Sequence, residues 1–171
     1  MTLVELMVAI GIGGVLFVAV MALTFYSARS FAAIGNYIDL EAQNRKTLDR
    51  LTQEIRQADA VKTCNATNLV LSGSYPGSTN SYTLAYAYHP AEKTLTRSQD
   101  SETRVVLTQC DSLAWAMYQR NMSGGTDQPI PTTDCNECKL IKLTWVCSRS
   151  IFGKSANTES VQSAEIMIRK K

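Results

Sequence analysis

The chain has 171 residues, a net charge of +2 and 19% charged side chains. This length fits one globular domain with an extended element, and the composition lacks the clustered basic face of a nucleic-acid-binding protein. Charge is unevenly distributed, because residues 6–28 contain no charged side chain whereas residues 39–56 are densely charged. The apolar content is therefore concentrated at one end of the chain.

The charge-free stretch 6–28 is long enough to cross a bilayer as a helix. A secretory signal peptide would need a basic segment before the apolar run and a small-residue cleavage site after it. No Lys or Arg precedes the run, Glu5 lies where positive charge is expected, and the helical pattern continues past Tyr26. These features favour a membrane-inserted helix over a signal peptide.

A single long helix is predicted from Thr2 to about Asp59, since this part of the chain has no Pro and has apolar residues at helical spacing. Its length is roughly 85 Å at about 1.5 Å per residue, too long to be buried by a head of this size. The first half must therefore contact lipid or other subunits. In the second half, one apolar face is predicted from i, i+3, i+7 spacing: Phe31, Ile34, Ile38, Leu48, Leu51, Ile55 and Ala58.

Three glycines interrupt the apolar half of this helix at Gly11, Gly13 and Gly14. Each Gly inside a helix costs about 1 kcal/mol relative to Ala, so this cluster is a candidate for local loosening. Small residues also permit close contact between helices in a membrane. Both interpretations stay open at this point.

Beyond residue 61 the pattern changes to short runs of strand-forming residues separated by turn clusters. The predicted strands are 68–72, 82–88, 93–97, 104–108, 113–118, 140–147 and 164–169. The predicted fold class is α+β, with a long N-terminal helix packed on a small antiparallel sheet. We divide the chain into an apolar transmembrane or filament-core helix half (1–28), an amphipathic helix half (29–60) and a β-rich head (61–171).

Glu5 is the one charged residue in the apolar opening of the chain. A carboxylate at the start of a membrane helix is costly to desolvate and usually has a partner. The α-amine of Met1 is a natural partner, but residues 1 and 5 lie a full helical turn apart. We therefore expect Glu5 of one subunit to pair with the amine of the next, the alternative being a carboxylate that lies in the headgroup region.

The run 2–10, with the sequence TLVELMVAI, resembles the N-terminal signature of type IV pilins and type II secretion pseudopilins. The resemblance implies a leader removed by a prepilin peptidase, N-methylation of Met1, and an intersubunit role for Met1 and Glu5. Met replaces the more usual Phe at position 1, and Pro is absent near position 22. More weakly, the patterns of residues 48–58, 139–146 and 164–169 look like those of J-type pseudopilins and related minor pilins.

Five cysteines lie outside the apolar segment, which indicates an oxidising, extracytoplasmic location. Cys135 and Cys138 have no second Cys/His pair for a zinc site, because His89 is the only histidine. Cys138 and Cys147 are separated by roughly 30 Å of extended chain at about 3.3 Å per residue, and cannot bond each other. If 113–118 pairs with 140–146, Cys110 approaches Cys147, and Cys135–Cys138 closes a tight loop. Other pairings stay open.

The resulting prediction is a structural protein without catalytic activity, metal or cofactor. It would be a pilin or pseudopilin that assembles through its apolar helix with like subunits. The resemblance implies a bacterial inner membrane before assembly, an assembly platform, and a periplasmic or extracellular filament afterwards. The alternatives are a minor or tip-proximal pseudopilin of a type II secretion system, a single-pass, membrane-anchored binding module, and an extracytoplasmic redox protein that uses Cys135 and Cys138. No feature indicates nucleic-acid binding.

Overall fold

The computed structural model describes residues 2–75, 80–120, 128–149 and 159–168. Its first element is helix α1, Leu3–Gln57, which is continuous over its whole length. Thr2 caps the start of the helix, and Ala58 ends it in extended backbone with its N–H bonded to the carbonyl of Ile55 at 3.3 Å. The predicted helix is thus confirmed to within two residues at each end. Met1 lies outside the described residues.

Nine strands follow in the described part of the chain: β1 Ala60–Cys64, β2 Asn68–Ser74, β3 Ser81–His89, β4 Thr94–Gln99, β5 Glu102–Leu107, β6 Cys110–Gln119, β7 Ile130–Pro131, β8 Leu140–Ser148 and β9 Glu159–Met167. They form a five-stranded sheet with the order β1-β2-β3-β4-β5 and a four-stranded sheet with the order β7-β6-β8-β9. The paired strands are antiparallel. The α+β class is confirmed.

Two details of the predicted head were wrong. The head contains two antiparallel sheets rather than one, and strands β1 and β7 were not predicted. β1 immediately follows the helix and its five residues, AVKTC, do not alternate between apolar and polar side chains, so it lacks the period of two that is typical of a strand. β7 has only two residues, which are too few to show any period.

Strand β8 lies in the middle of the second sheet, and its side chains alternate between a buried face and a less buried face. Its buried side chains are Ile141, Leu143, Trp145 and Cys147, while Lys142 and Thr144 lie on the other face. β6 pairs with β8 along its length, with Trp115 opposite Leu143, so the condition for the approach of Cys110 to Cys147 is met. The alternating pattern therefore fixed which face of this sheet is part of the core.

The second half of α1 packs on the head through one narrow face. Its buried residues are Leu40, Asn44, Thr47, Leu51 and Ile55. The prediction that Phe31, Ile34 and Ile38 belong to this face was wrong, since they are 74%, 52% and 59% exposed. At about 100° per residue, Ile38 lies roughly 140° around the helix from Leu51. The apolar residues before Leu40 and those after it each have helical spacing, but the two sets lie on different faces of the helix.

Helix α1 lies against the edge strands β5 and β9, one from each sheet. The Thr47 hydroxyl donates to the carbonyl of Val106 at 3.0 Å. Toward the other sheet, Glu41 Oε2 accepts from Ser160 Oγ at 2.7 Å and from Gln162 Nε2 at 3.1 Å. The helix therefore covers the edges of both sheets and limits their availability for pairing with other strands.

Candidate functional site

The most prominent candidate site is the surface of the first half of α1. No described residue before Leu40 is buried, and large apolar side chains are exposed all around the helix, such as Leu3 (76%) and Phe17 (61%). Within the described part of the chain, α1 is the one helix that is long and apolar enough to cross a membrane, and its most apolar stretch makes no buried contact with the head. A helix can present such a surface to lipid because its backbone hydrogen bonds are internal.

Glu5 and Thr2 form a capping box at the start of this helix. The backbone N–H of Thr2 donates to Glu5 Oε2 at 2.8 Å, and the backbone N–H of Glu5 donates to Thr2 Oγ1 at 3.3 Å. The spacing Thr-x-x-Glu is the sequence signature of this motif, so the capping box is a feature that the sequence alone could have predicted. Because Met1 is outside the described residues, the pairing of Glu5 with Met1 stays a prediction.

The glycine cluster lies within regular helix in the single chain. Gly11, Gly13 and Gly14 are all part of α1, and a methyl group added at any of them would meet no other atom within 4 Å. Packing inside the single chain therefore does not require glycine at these positions. The explanation for them must lie in backbone flexibility or in contacts with another molecule.

A charged cluster fixes the helix to the first sheet at the opposite end of α1. Arg97 of β4 donates from Nε to both carboxylate oxygens of Glu54 at 3.0 Å, and Arg50 Nε donates to Oε1 at 3.1 Å. The Tyr86 hydroxyl also donates to Glu54. Burial alone would raise the pKa of Glu54, but the hydrogen bonds from these three residues hold it below its ordinary value. Burial is the main cause of the raised pKa of Tyr86, and the hydrogen bond with Glu54 raises it further.

The cluster around Glu54 was not predicted from the sequence. Glu54 lies among other charged residues of the helix, and Arg97 lies in a strand otherwise made of small polar and apolar residues. The side chains of Arg97 and Glu54 are only 7% and 17% exposed, which marks them as a structural pair. The one available signal was an arginine at a position of β4 that alternation assigns to the core.

The cysteines fall into two groups. Cys110 and Cys147 are directly opposite each other in β6 and β8, as expected if these two strands pair, and both are fully buried. Cys135 and Cys138 lie in the loop before β8, and Cys64 of β1 is close enough to both for an electrostatic interaction. Burial, followed by these two neighbours, raises the pKa of the Cys64 thiol to about 11. Cys64, which the predicted pairing left over, is therefore a neighbour of the second pair.

No disulfide bond is present among the described residues, which include all five cysteines. The predicted pairs Cys110–Cys147 and Cys135–Cys138 consequently stay predictions. Within the same ranges, no group of three His, Cys, Asp or Glu side chains is arranged to hold a metal ion.

Comparison with known proteins adds no relative to this description. No protein-family model, no curated protein and no solved structure matches the chain. A functional proposal therefore depends on the helix, its cap and its attachment to the head.

Proposed function

We propose that this chain is a structural subunit of a type IV pilin-like filament, held in a membrane by residues 6–28 before it assembles. The observation that supports this proposal best is the exposed apolar half of α1. It lies on the N-terminal side of Leu40, which is the first residue of the helix that is buried against the head. A helix that is apolar all round needs an apolar environment on every side. Lipid supplies it for a single subunit, and the helices of neighbouring copies supply it in a fibre.

The attachment of the helix to the head supports a role in which the two parts move as one unit. The hydrogen bonds of Thr47 to β5 and of Glu41 to β9, together with the Glu54–Arg97 pair, hold the second half of α1 on both sheets. A repeated contact between the apolar half of one copy and that of the next generates an open filament when its rotation does not close. The heads then form the outside of that filament.

In this proposal Glu5 sets the register between neighbouring copies. The capping bond from the Thr2 N–H uses one carboxylate oxygen, Oε2. A carboxylate has about four acceptor sites, so Glu5 can cap its own helix and still accept from the N-terminal amine of another copy. Pairing these opposite charges removes the penalty of two isolated charges in an apolar fibre core.

The test separates the charge of Glu5 from its capping bond. Glu5→Gln retains an oxygen that accepts from the Thr2 N–H but removes the negative charge, whereas Thr2→Ala removes half of the capping box and retains the charge. Both variants should insert in the membrane at wild-type levels. When they are expressed with the assembly machinery of the native host, Glu5→Gln should lower recovery in sheared filaments on the order of tenfold or more, because it leaves a buried amine unpaired. Thr2→Ala should lower it far less.

A larger loss in Thr2→Ala than in Glu5→Gln would show that helix capping, and not charge pairing, explains the need for Glu5. Wild-type recovery of Glu5→Gln would overturn the pairing itself. Absence of the wild-type chain from purified filaments would overturn the filament proposal.

A second candidate function is a single-pass, membrane-anchored binding module. The observation that favours it is the closed capping box, because Thr2 and Glu5 complete the helix start without another copy. This candidate predicts that cysteine pairs introduced on the exposed helix face, for instance at Val15, crosslink no neighbouring copy in native membranes or sheared fractions. Filament incorporation predicts ladders of crosslinked copies.

A further inference from the structure

Cys110 and Cys147 occupy a cross-strand position from which two cysteine side chains can reach each other, next to an irregularity in the pairing between Cys110 and Ser112. They are opposite each other in β6 and β8. The neighbouring pair is hydrogen-bonded, since the Ser148 N–H donates to the carbonyl of Gln109 at 3.1 Å. In an antiparallel pair, hydrogen-bonded and non-hydrogen-bonded positions alternate. Cys110 and Cys147 therefore form a non-hydrogen-bonded pair.

The backbone contacts of Cys110 agree with this assignment. Its N–H donates to the carbonyl of Lys93 at 2.8 Å, and its carbonyl accepts from the Tyr88 hydroxyl at 3.0 Å. Both groups thus bond to partners other than β8. Non-hydrogen-bonded pairs have Cα atoms about 4.5 Å apart, which is inside the range of about 4.4–6.8 Å that a disulfide spans.

The two sulfur atoms also share one buried environment. Both residues are 0% exposed and belong to the core. The Cys110 thiol contacts the carbonyl of Ser112 at 3.3 Å. The contact with the Cys147 thiol lowers the pKa of Cys110, and the same contact, together with burial, raises the pKa of Cys147. The two thiols are thus in contact with each other in the core.

We propose that Cys110 and Cys147 are oxidised to a cross-strand disulfide that joins β6 to β8 beneath helix α1. The reaction removes one proton from each thiol and two electrons in total, and it forms one Sγ–Sγ bond. The electrons pass to a disulfide-containing oxidant, whose own S–S bond is cleaved to two thiols. One of the two thiols attacks the oxidant first, and the other then displaces the oxidant's sulfur from the mixed disulfide.

The burial of both sulfurs determines when this bond forms. No oxidant reaches a thiol that is 0% exposed in the closed head, so oxidation accompanies folding, before α1 covers the second sheet. Asn44 of the helix lies close to this position, since its Oδ1 accepts from the indole N–H of Trp145, two residues before Cys147 in β8. Once the helix is in place, the bond is protected from reductants for the same reason.

Trypsin separates the candidate pairings, because the cysteines lie in different peptides. Cleavage after Lys and Arg places Cys110 in residues 105–120, Cys147 in 143–149, Cys64 in 63–93, and both Cys135 and Cys138 in 121–139. The reduced full-length chain in detergent micelles is unfolded in urea, refolded with oxidised glutathione, alkylated, digested without reductant and analysed by mass spectrometry. The expected result is loss of the two alkylated peptides 105–120 and 143–149 and gain of one linked species that contains both.

Two variants control for refolding. Cys147→Ser should abolish the linked species and return Cys110 as an alkylated or glutathione-capped peptide. A variant in which Cys64, Cys135 and Cys138 are all serine leaves only the proposed pair and should still give the link. Refolded protein in which 105–120 is linked to any peptide other than 143–149 would overturn the proposal. So would unlinked Cys110 and Cys147 in the triple variant.

Discussion

The apolar half of α1 and the core of the head contain similar residue types but hide them in different ways. In the head, Trp145 is 0% exposed and lies on one face of an alternating strand, whereas Phe17 in the helix is 61% exposed and has apolar neighbours on every side. The head completes its own core, and the helix half requires another molecule or a lipid phase. The difference shows that the period of the apolar pattern, more than apolar content, distinguishes a folded core from an assembly surface.

Among the substitutions that test this comparison, the one at Trp145 should have the largest effect on the stability of the head. Trp145→Ala removes the largest fully buried side chain and leaves Asn44 Oδ1 without the indole N–H that donates to it at 3.2 Å. We expect a loss of about 3–5 kcal/mol in the free energy of unfolding of the head, measured by denaturant titration in detergent micelles.

Phe17→Ala is the matched control for the removal of an aromatic side chain. Because Phe17 makes no buried contact in the single chain, its truncation should change the free energy of unfolding of the head by about 0.5 kcal/mol or less. A large loss of head stability in this variant would show that the helix half and the head are not independent in the way the comparison states.

A charge in the middle of the apolar half should reverse its preference for lipid. Val15 is 72% exposed and lies in the charge-free stretch. Val15→Lys should cost about 2.5–3.5 kcal/mol in membrane insertion, measured as the fraction of chain retained in membranes after carbonate extraction. Ser30→Lys, next to Arg29 beyond the stretch, is the control and should be retained at the wild-type level. Full retention of Val15→Lys would contradict a transmembrane position.

The sequence predicted most of the fold because its two periodicities are clear. The predicted strand 140–147 lies within β8, and the absence of Pro together with apolar residues at helical spacing predicted one long helix. Two separate sheets could not be predicted, since the sequence does not show where hydrogen bonding between consecutive strands stops. β5 and β6 are adjacent in the chain but belong to different sheets.

The candidate site was predicted less completely. The approach of Cys110 to Cys147 followed from strand pairing, and the exposed helix half followed from its composition. The Glu54–Arg97 pair joins residues 43 positions apart, and one charged residue among many gives no indication of such a partner. The proximity of Cys64 to Cys138 likewise depends on how the two sheets pack against each other.

The Glu54–Arg97 pair makes the attachment of helix to head dependent on pH. Because hydrogen bonds hold the folded-state pKa of Glu54 below its ordinary value of 4.5, its contribution to stability is complete above that value and is lost as the pH falls through the folded-state pKa. Glu54→Gln should lower the free energy of unfolding by roughly 2 kcal/mol at pH 7. The difference from wild type should shrink as the pH falls below about 4.

Unfolding of both proteins from pH 7 to pH 3 provides the measurement. Two other carboxylates also have lowered pKa values. A hydrogen bond with Arg45 lowers the pKa of Glu41. Burial would raise the pKa of Asp111, but a hydrogen bond with Lys93 lowers it. The variant should therefore keep part of the acid sensitivity. A difference between wild type and Glu54→Gln that stays constant over this range would show that Glu54 does not titrate as the structure requires.

The smallest expected effect on the head, and the most selective test of the helix, comes from the glycine cluster. Replacement of Gly11, Gly13 and Gly14 by Ala meets no atom within 4 Å in the single chain, and each change should stabilise helix by about 1 kcal/mol. Amide hydrogen exchange in residues 9–16 of the detergent-solubilised chain should slow, while the head exchanges as before.

The two roles considered for the glycines predict different filament recoveries. If the glycines serve backbone loosening, filament recovery should fall only in proportion to that slowing, and Gly13→Ser should behave like Gly13→Ala. If they serve close contact between copies, Gly13→Leu should abolish recovery although exchange slows no further than in Gly13→Ala, because side-chain volume would then decide the outcome.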